Sequence, residues 1–167
     1  HGAADTIVDS SSKKYQSGIK KLSAYLVSEE RKRPEEVVAL CSGDMWQGGI
    51  QSNRSRGKSM IDWMNVAGFE SMAIGNHEFD WKPETIEENS SFADFPFLGI
   101  NIRDANGNRP SWAKPSTIVS RGGVRIGVVG AIGDVASSIS VSSLSGYSFH
   151  WSETPKMVEE EANRLRY

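Results

Sequence analysis

Two short polar clusters contain the residue types from which a hydrolytic centre can be built: Gly43-Asp44 and Gly75-Asn76-His77. Asp44 offers a carboxylate whose two oxygens can bridge two cations. Asn76 offers a neutral oxygen, and His77 a nitrogen donor or an acid/base group. His1 is a further potential nitrogen ligand. The glycines directly before Asp44 and Asn76 let the chain turn sharply and let a ligand approach the backbone closely. A two-metal hydrolase needs this mixture of a bridging carboxylate, mixed nitrogen and oxygen donors, and a separate group poised over the scissile bond. Spacing alone is not specific, because an Asp at a strand end is commonly a helix cap or turn former. A His beside an Asn can likewise be purely structural.

The elements that must position these clusters are legible from periodicity. Residues 37–40 form a short apolar run, read as a buried strand that ends in Ser42-Gly43-Asp44. Residues 71–74 form a second such strand, ending at Gly75-Asn76-His77. Before the first strand, Ile19, Leu22, Tyr25 and Leu26 recur at helical spacing within residues 15–33, and Pro34 stops that helix. A polar loop follows Asp44. A helix is then expected over residues 57–66, with Met60, Ile61 and Met64 on one side and Gly68 just past its end. Residues 83–92 read as helix with Pro83 in the first turn, and residues 95–102 as a third strand. Residues 116–120 and 124–131 are strands joined at Gly122-Gly123, a hairpin signal. Residues 3–12 and 137–145 read as loops, and residues 153–167 as an acidic amphipathic helix. Alternating helices and strands predict an α/β fold, mostly parallel, with an added antiparallel hairpin. In such sheets ligands bind beyond the carboxyl ends of the strands, where both polar clusters fall.

Bulk composition narrows the choices. A length of 167 residues with 38% apolar and 24% charged side chains fits one globular domain rather than a disordered chain. A net charge of −2 gives no footprint for duplex nucleic acid or an anionic membrane, and no stretch is long enough for a membrane span. Small anionic substrates stay open, since bound cations supply charge that composition does not show. The single Cys41 excludes an internal disulfide framework and a cysteine-based zinc site, and reads as a buried thiol. Gly57-Lys58-Ser59 resembles the end of a P-loop, but Ser52 stands where the required glycine would be and no strand leads into it. The glycines at 127, 130 and 133 give GxxGxxG within the hairpin, which is not a dinucleotide fingerprint.

The blocks GDMWQGG (43–49) and GNHEFD (75–80) resemble two signature blocks of the calcineurin-like metallophosphoesterases. More narrowly, GKSMIDWMNVAGFESMAIGNHEFDW (57–81) is similar to the 5′-nucleotidase and 2′,3′-cyclic-nucleotide phosphodiesterase branch, as is the strand GVRIGVVG (123–130). The resemblance implies a β-sandwich flanked by helices, and two divalent metal ions (Mn, Zn, Fe, Mg or Ca). It implies that Asp44 bridges the two metals, that Asn76 ligates the second and that His1, in a His-Gly pair, ligates the first. It implies also that His77 stabilises charge on the phosphoryl group in the transition state, with Asp80 pairing with it and orienting it. A carboxylate beside an imidazole favours the imidazolium, which suits a group facing an electron-rich phosphorus centre. Two departures stand out: Lys82 occupies a position where a glycine often follows the second block, and Gly49 replaces a more usual polar or small residue.

The same resemblance implies hydrolysis of nucleotide or other small phosphate esters, by a protein exported to the periplasm, the cell wall or the exterior of a bacterium. It implies too that this chain is the N-terminal part of the catalytic domain, short at both ends. The family's first aspartate, its later histidine blocks and its C-terminal nucleotide-binding domain are not in it. His150, the remaining histidine, matches none of those blocks and is expected to be structural. With so few ligands of its own, the chain by itself is expected to turn over little. The alternative is a non-catalytic, metal-free fragment or binding scaffold.

Overall fold

A computed structural model describes residues 2, 4, 7–8, 11–13, 15–16 and 18–166. Its centre is a three-stranded parallel sheet of β3 (Ala39–Cys41), β4 (Phe69–Ala73) and β5 (Phe97–Leu98), in that order. Parallel neighbours require long crossovers, and helices supply them here. Helices α2 (Ile50–Arg54) and α3 (Lys58–Val66) connect β3 to β4, and α4 (Pro83–Phe92) connects β4 to β5. Met60, Ile61 and Met64 of α3 and Ile86 of α4 are buried with Met72, Ile74 and Phe97 of the sheet region. The apolar stripe that predicts α3 is therefore the stripe that closes the core. Side-chain amides stitch the two helices together: Asn89 Nδ2 donates to the Arg56 carbonyl at 2.8 Å, and Asn65 Nδ2 to that of Phe92 at 2.8 Å.

Around this sheet lie the two-residue strands β1 (Ile7–Val8) and β2 (Tyr15–Gln16), and helix α1 (Ile19–Lys32). Beyond β5 come β6 (Ile102–Arg103), the antiparallel hairpin β7 (Ser116–Arg121) and β8 (Val124–Val129), α5 (Val141–Leu144), β9 (Ser148–Phe149) and α6 (Thr154–Arg166). β6 and β9 pair antiparallel. The hairpin is fixed to the central layer at both ends. At its tip Arg121 pairs with Glu70 of β4 and donates to the Val37 carbonyl at 3.1 Å. At its base the Ile100 amide donates to the Gly130 carbonyl at 2.8 Å. Buried Asn101 ties its own segment to two others. Its amide donates to the Ile132 carbonyl at 2.8 Å and to Thr154 Oγ1 at 2.9 Å, and its oxygen accepts from the Ile132 N–H at 3.0 Å. Every polar atom of that side chain is satisfied, as burial demands.

The α/β class, the helices α1, α3, α4 and α6 and the Gly122-Gly123 hairpin follow the pattern in the sequence. Five local expectations do not. The helix expected from residue 15 begins at Ile19, because residues 15–16 pair with 7–8 as a small ribbon within what reads as loop. The polar loop after Asp44 contains α2, and the serine-rich stretch contains α5, capped by the Ser140 side chain. The expected strand 95–102 breaks into β5 and β6 at a turn in which the Ile102 amide reaches the Gly99 carbonyl at 3.3 Å. β3 is not deeply buried: Leu40 keeps 46% of its surface exposed, because among the described strands β3 pairs with β4 alone. No described helix is long and apolar enough to cross a membrane.

Candidate active site

The loops that leave β3 and β4 run against each other, and the sequence shows why they can. Gly43 has φ +93, and a Cβ there would stand 2.6 Å from the Gly75 nitrogen and 2.7 Å from the Ala73 carbonyl. Only a glycine permits both that left-handed turn and that approach. Asp44 follows, itself at φ 58. Its Oδ1 accepts the His77 N–H at 3.1 Å. On the other side it abuts Gly75, where a Cβ would collide with Oδ1 and lie 2.8 Å from Cγ. Residues 75–77 thus wrap the Asp44 carboxylate, with Asn76 between the residue that makes room for it and the residue that bonds it.

After Asn76 the chain enters a 3-10 turn, His77–Trp81, closed by the Phe79 N–H to the Asn76 carbonyl at 3.1 Å. The three-residue spacing brings His77 and Asp80 onto one face, and His77 Nδ1 meets Asp80 Oδ2 at 2.9 Å. Both side chains are partly exposed, at 27% and 30%. Phe79, on the inner face of the same turn, is fully buried against Phe149, Tyr147 and Trp112. One short turn therefore presents a polar pair outward while anchoring itself in the core.

Glu78 is the residue that pattern reading leaves without a role. It is fully buried, and its carboxylate accepts three backbone N–H groups: Asp44 at 2.9 Å and Gly75 at 2.8 Å on Oε2, and Met45 at 2.8 Å on Oε1. Burial raises its carboxyl above the ordinary value. The N–H bonds from Asp44, Gly75 and Met45 oppose that rise, and the Asp44 charge adds to it. The signal available in the sequence is an acid placed directly before a buried aromatic, and by type alone it reads as a surface residue.

As for the remaining candidates, His1 lies outside the described residues. Gly2 donates to the Met45 carbonyl at 2.8 Å and so touches the Asp44 loop. A Cβ at Gly49 would collide with the Gly2 carbonyl, which accounts for a glycine at that unusual position. Burial pushes the Cys41 thiol up to about 11, so it is protonated at neutral pH. His150 is engaged through its backbone, its N–H donating to Asn101 and its carbonyl accepting from Thr154. Among the described residues no three His, Cys, Asp or Glu side chains form a cluster fit for a metal ion. The two loops set Asp44 against residues 75 and 77, and a carboxylate and a neutral amide are hard oxygen donors of the kind that suits a divalent cation.

No family model matches the chain. It is 37% identical over 102 residues to a probable 5′-nucleotidase of Treponema pallidum, a match covering 60% of this chain and 17% of that protein. The structure of a 5′-nucleotidase precursor from Thermus thermophilus superposes with a TM-score of 0.79 at 23% identity, over 98% of this chain and 33% of that one. A sulfate thiohydrolase, SoxB, also from Thermus thermophilus, gives a TM-score of 0.78 at 26% identity, over 89% of this chain and 28% of that one. The chain has the fold of the calcineurin-like phosphoesterases and 5′-nucleotidases and is similar in sequence to 5′-nucleotidases. It spans about a fifth of the length of the curated 5′-nucleotidase relatives that it matches.

Within this calcineurin-like fold, the departure at Lys82 has a measurable consequence. Lys82 sits at φ 72 and ψ 162, a region that glycine populates and other residues avoid. It closes the 3-10 turn and precedes Pro83, which forces extended ψ on it. Lys82→Gly is expected to raise the stability of the phosphoesterase fold by about 1 kcal/mol, relief of backbone strain outweighing glycine's greater unfolded freedom. The urea midpoint reads this directly, and a lower midpoint would show that the strain is absent.

Proposed function

We propose that the protein carrying this chain hydrolyses phosphate esters of nucleotides, with water attacking phosphorus in line. Two divalent cations (Mn, Zn, Fe, Mg or Ca), when bound, supply Lewis-acid polarisation and an activated water. Asp44 would hold both cations through its carboxylate, with Asn76 and His1 as further ligands. His77, its ring oriented by Asp80, stabilises charge that develops on the phosphoryl oxygens. The observation that carries this reading is the placing of His77 between Asp44, which bonds its backbone, and Asp80, which bonds its ring. The Asp44 carboxylate accepts the His77 backbone N–H at 3.1 Å, while Asp80 Oδ2 lies 2.9 Å from the ring Nδ1. Ligand and charge-stabilising group are thereby placed side by side on adjoining loops. The shared fold and the names of the relatives support the reaction class. The same likeness supports export from the cell, and base recognition by a separate C-terminal domain.

The test is phosphate release from an aryl phosphate and a nucleoside 5′-monophosphate in excess Mn²⁺, with Asp44→Asn and His77→Asn beside the parent. Each variant is expected to lose at least about 100-fold in turnover, the scale on which removing one transition-state partner acts. Release that needs no metal, or that survives both substitutions, would sink the reading. Because a sulfate thiohydrolase shares the fold, a sulfate ester belongs in the same assay. A preference for it would change the substrate class.

A further inference from the structure

The reaction proposed above uses neither oxygen of Glu78, yet this side chain accepts three backbone N–H bonds across the site. It bridges two loops separated by about thirty residues of chain: Asp44 and Met45 after β3, and Gly75 after β4. Asp44 is held at φ 58, a conformation that a non-glycine residue adopts only when its surroundings impose it. Its N–H, directed by that conformation, ends on Glu78.

We propose that Glu78 is a positioning residue that staples the two loops and holds Asp44 in its left-handed conformation, so that the Asp44 carboxylate and Asn76 face the same cations. This rests on the two-metal reading. A carboxylate is required because three donors converge on two oxygens. A glutamine has one acceptor oxygen, and its NH2 group would confront an N–H, so at least one of the three bonds is lost. The side chain is fully buried, so water cannot replace the missing partner. A group that orients ligands in this way sets metal affinity without touching the metal.

Glu78→Gln, which preserves volume and keeps the core filled, is the informative variant, with Glu78→Ala beside it. Two readouts are needed in the protein, both far below its unfolding midpoint. The first, without metal, is hydrogen exchange at the amides of residues 44, 45 and 75, which should accelerate in both variants. The second is the dissociation constant for Mn²⁺ alone, which should weaken roughly 10- to 100-fold. A role confined to stability would lower the unfolding midpoint and leave Mn²⁺ affinity of the folded chain unchanged, and that result overturns the proposal. Unchanged exchange at the three amides overturns it equally. A parent protein that takes up no Mn²⁺ sinks the two-metal reading instead, and amide exchange still decides whether Glu78 holds the loops together.

Discussion

Gly75→Ala is expected to abolish metal-dependent turnover in a protein that still folds. The reason is space rather than backbone conformation, since Gly75 is not at positive φ. A methyl group there would collide with Asp44 Oδ1 and lie 2.8 Å from both Cγ and the backbone nitrogen of Asp44. None of these atoms can easily retreat. The nitrogen is bonded to Glu78 and Oδ1 accepts from the His77 N–H. Relief must come from displacing the carboxylate itself. Overpacking of this kind costs about 1–3 kcal/mol, and a displacement of about 1 Å at a reacting centre can cost 100-fold in rate. Urea unfolding and aryl phosphate turnover in Mn²⁺ separate the two effects. Gly107→Ala is the control, because its Cβ would meet nothing within 4 Å and only the strain of φ +81 is added. Equal turnover in the two variants would show that the loop tolerates the methyl group and that Asp44 is not confined as described.

Phe79→Ala is expected to be the most destabilising single truncation near the site, at about 3–5 kcal/mol. The ring is fully buried, with centroids 5.2 Å from Phe149, 6.3 Å from Tyr147 and 6.4 Å from Trp112, while Trp112 and Tyr147 stack on each other at 5.8 Å. Domains have only about 5–15 kcal/mol in total, so the variant should sit near the edge of unfolding at ambient temperature. The same truncation unpins the turn that carries His77 and Asp80, so turnover should fall even in the folded fraction. Phe79→Leu keeps most of the buried area and should recover most of both. A urea midpoint that barely moves in Phe79→Ala would mean the aromatic cluster closes over the gap.

The contrast between Phe79 and Glu78 shows what a pattern of residue types can and cannot reveal. Apolar spacing together with Pro34, Gly68 and Pro83 marks α1, α3 and α4, because the stripe that repeats in sequence is the face that packs. The positions of Gly43-Asp44 and Gly75-Asn76-His77 past strand ends are legible for the same reason. Helix α2 is not, because a tertiary contact steadies it: buried Ser52 donates its hydroxyl to the Trp46 carbonyl. Trp46 sits in a polar run yet is wholly buried, its indole tilted against Phe97 with ring centroids 5.9 Å apart. Glu78 is hidden most completely. Its partners are backbone amides, which every residue possesses, so nothing in the side-chain alphabet announces them.

The Asn101 knot bears on the order in which the protein is assembled. Asn101 reaches forward to Ile132 and Thr154, so it can close only after residue 154 has left the ribosome. The groups joined by Glu78 all lie between residues 44 and 78, within one strand–helix–strand stretch. Contacts of short loop closure form early, and synthesis delivers N-terminal segments first. The pocket around Asp44 can therefore take shape while the hairpin and α6 are still being made. The later knot locks a layer onto a centre that already exists.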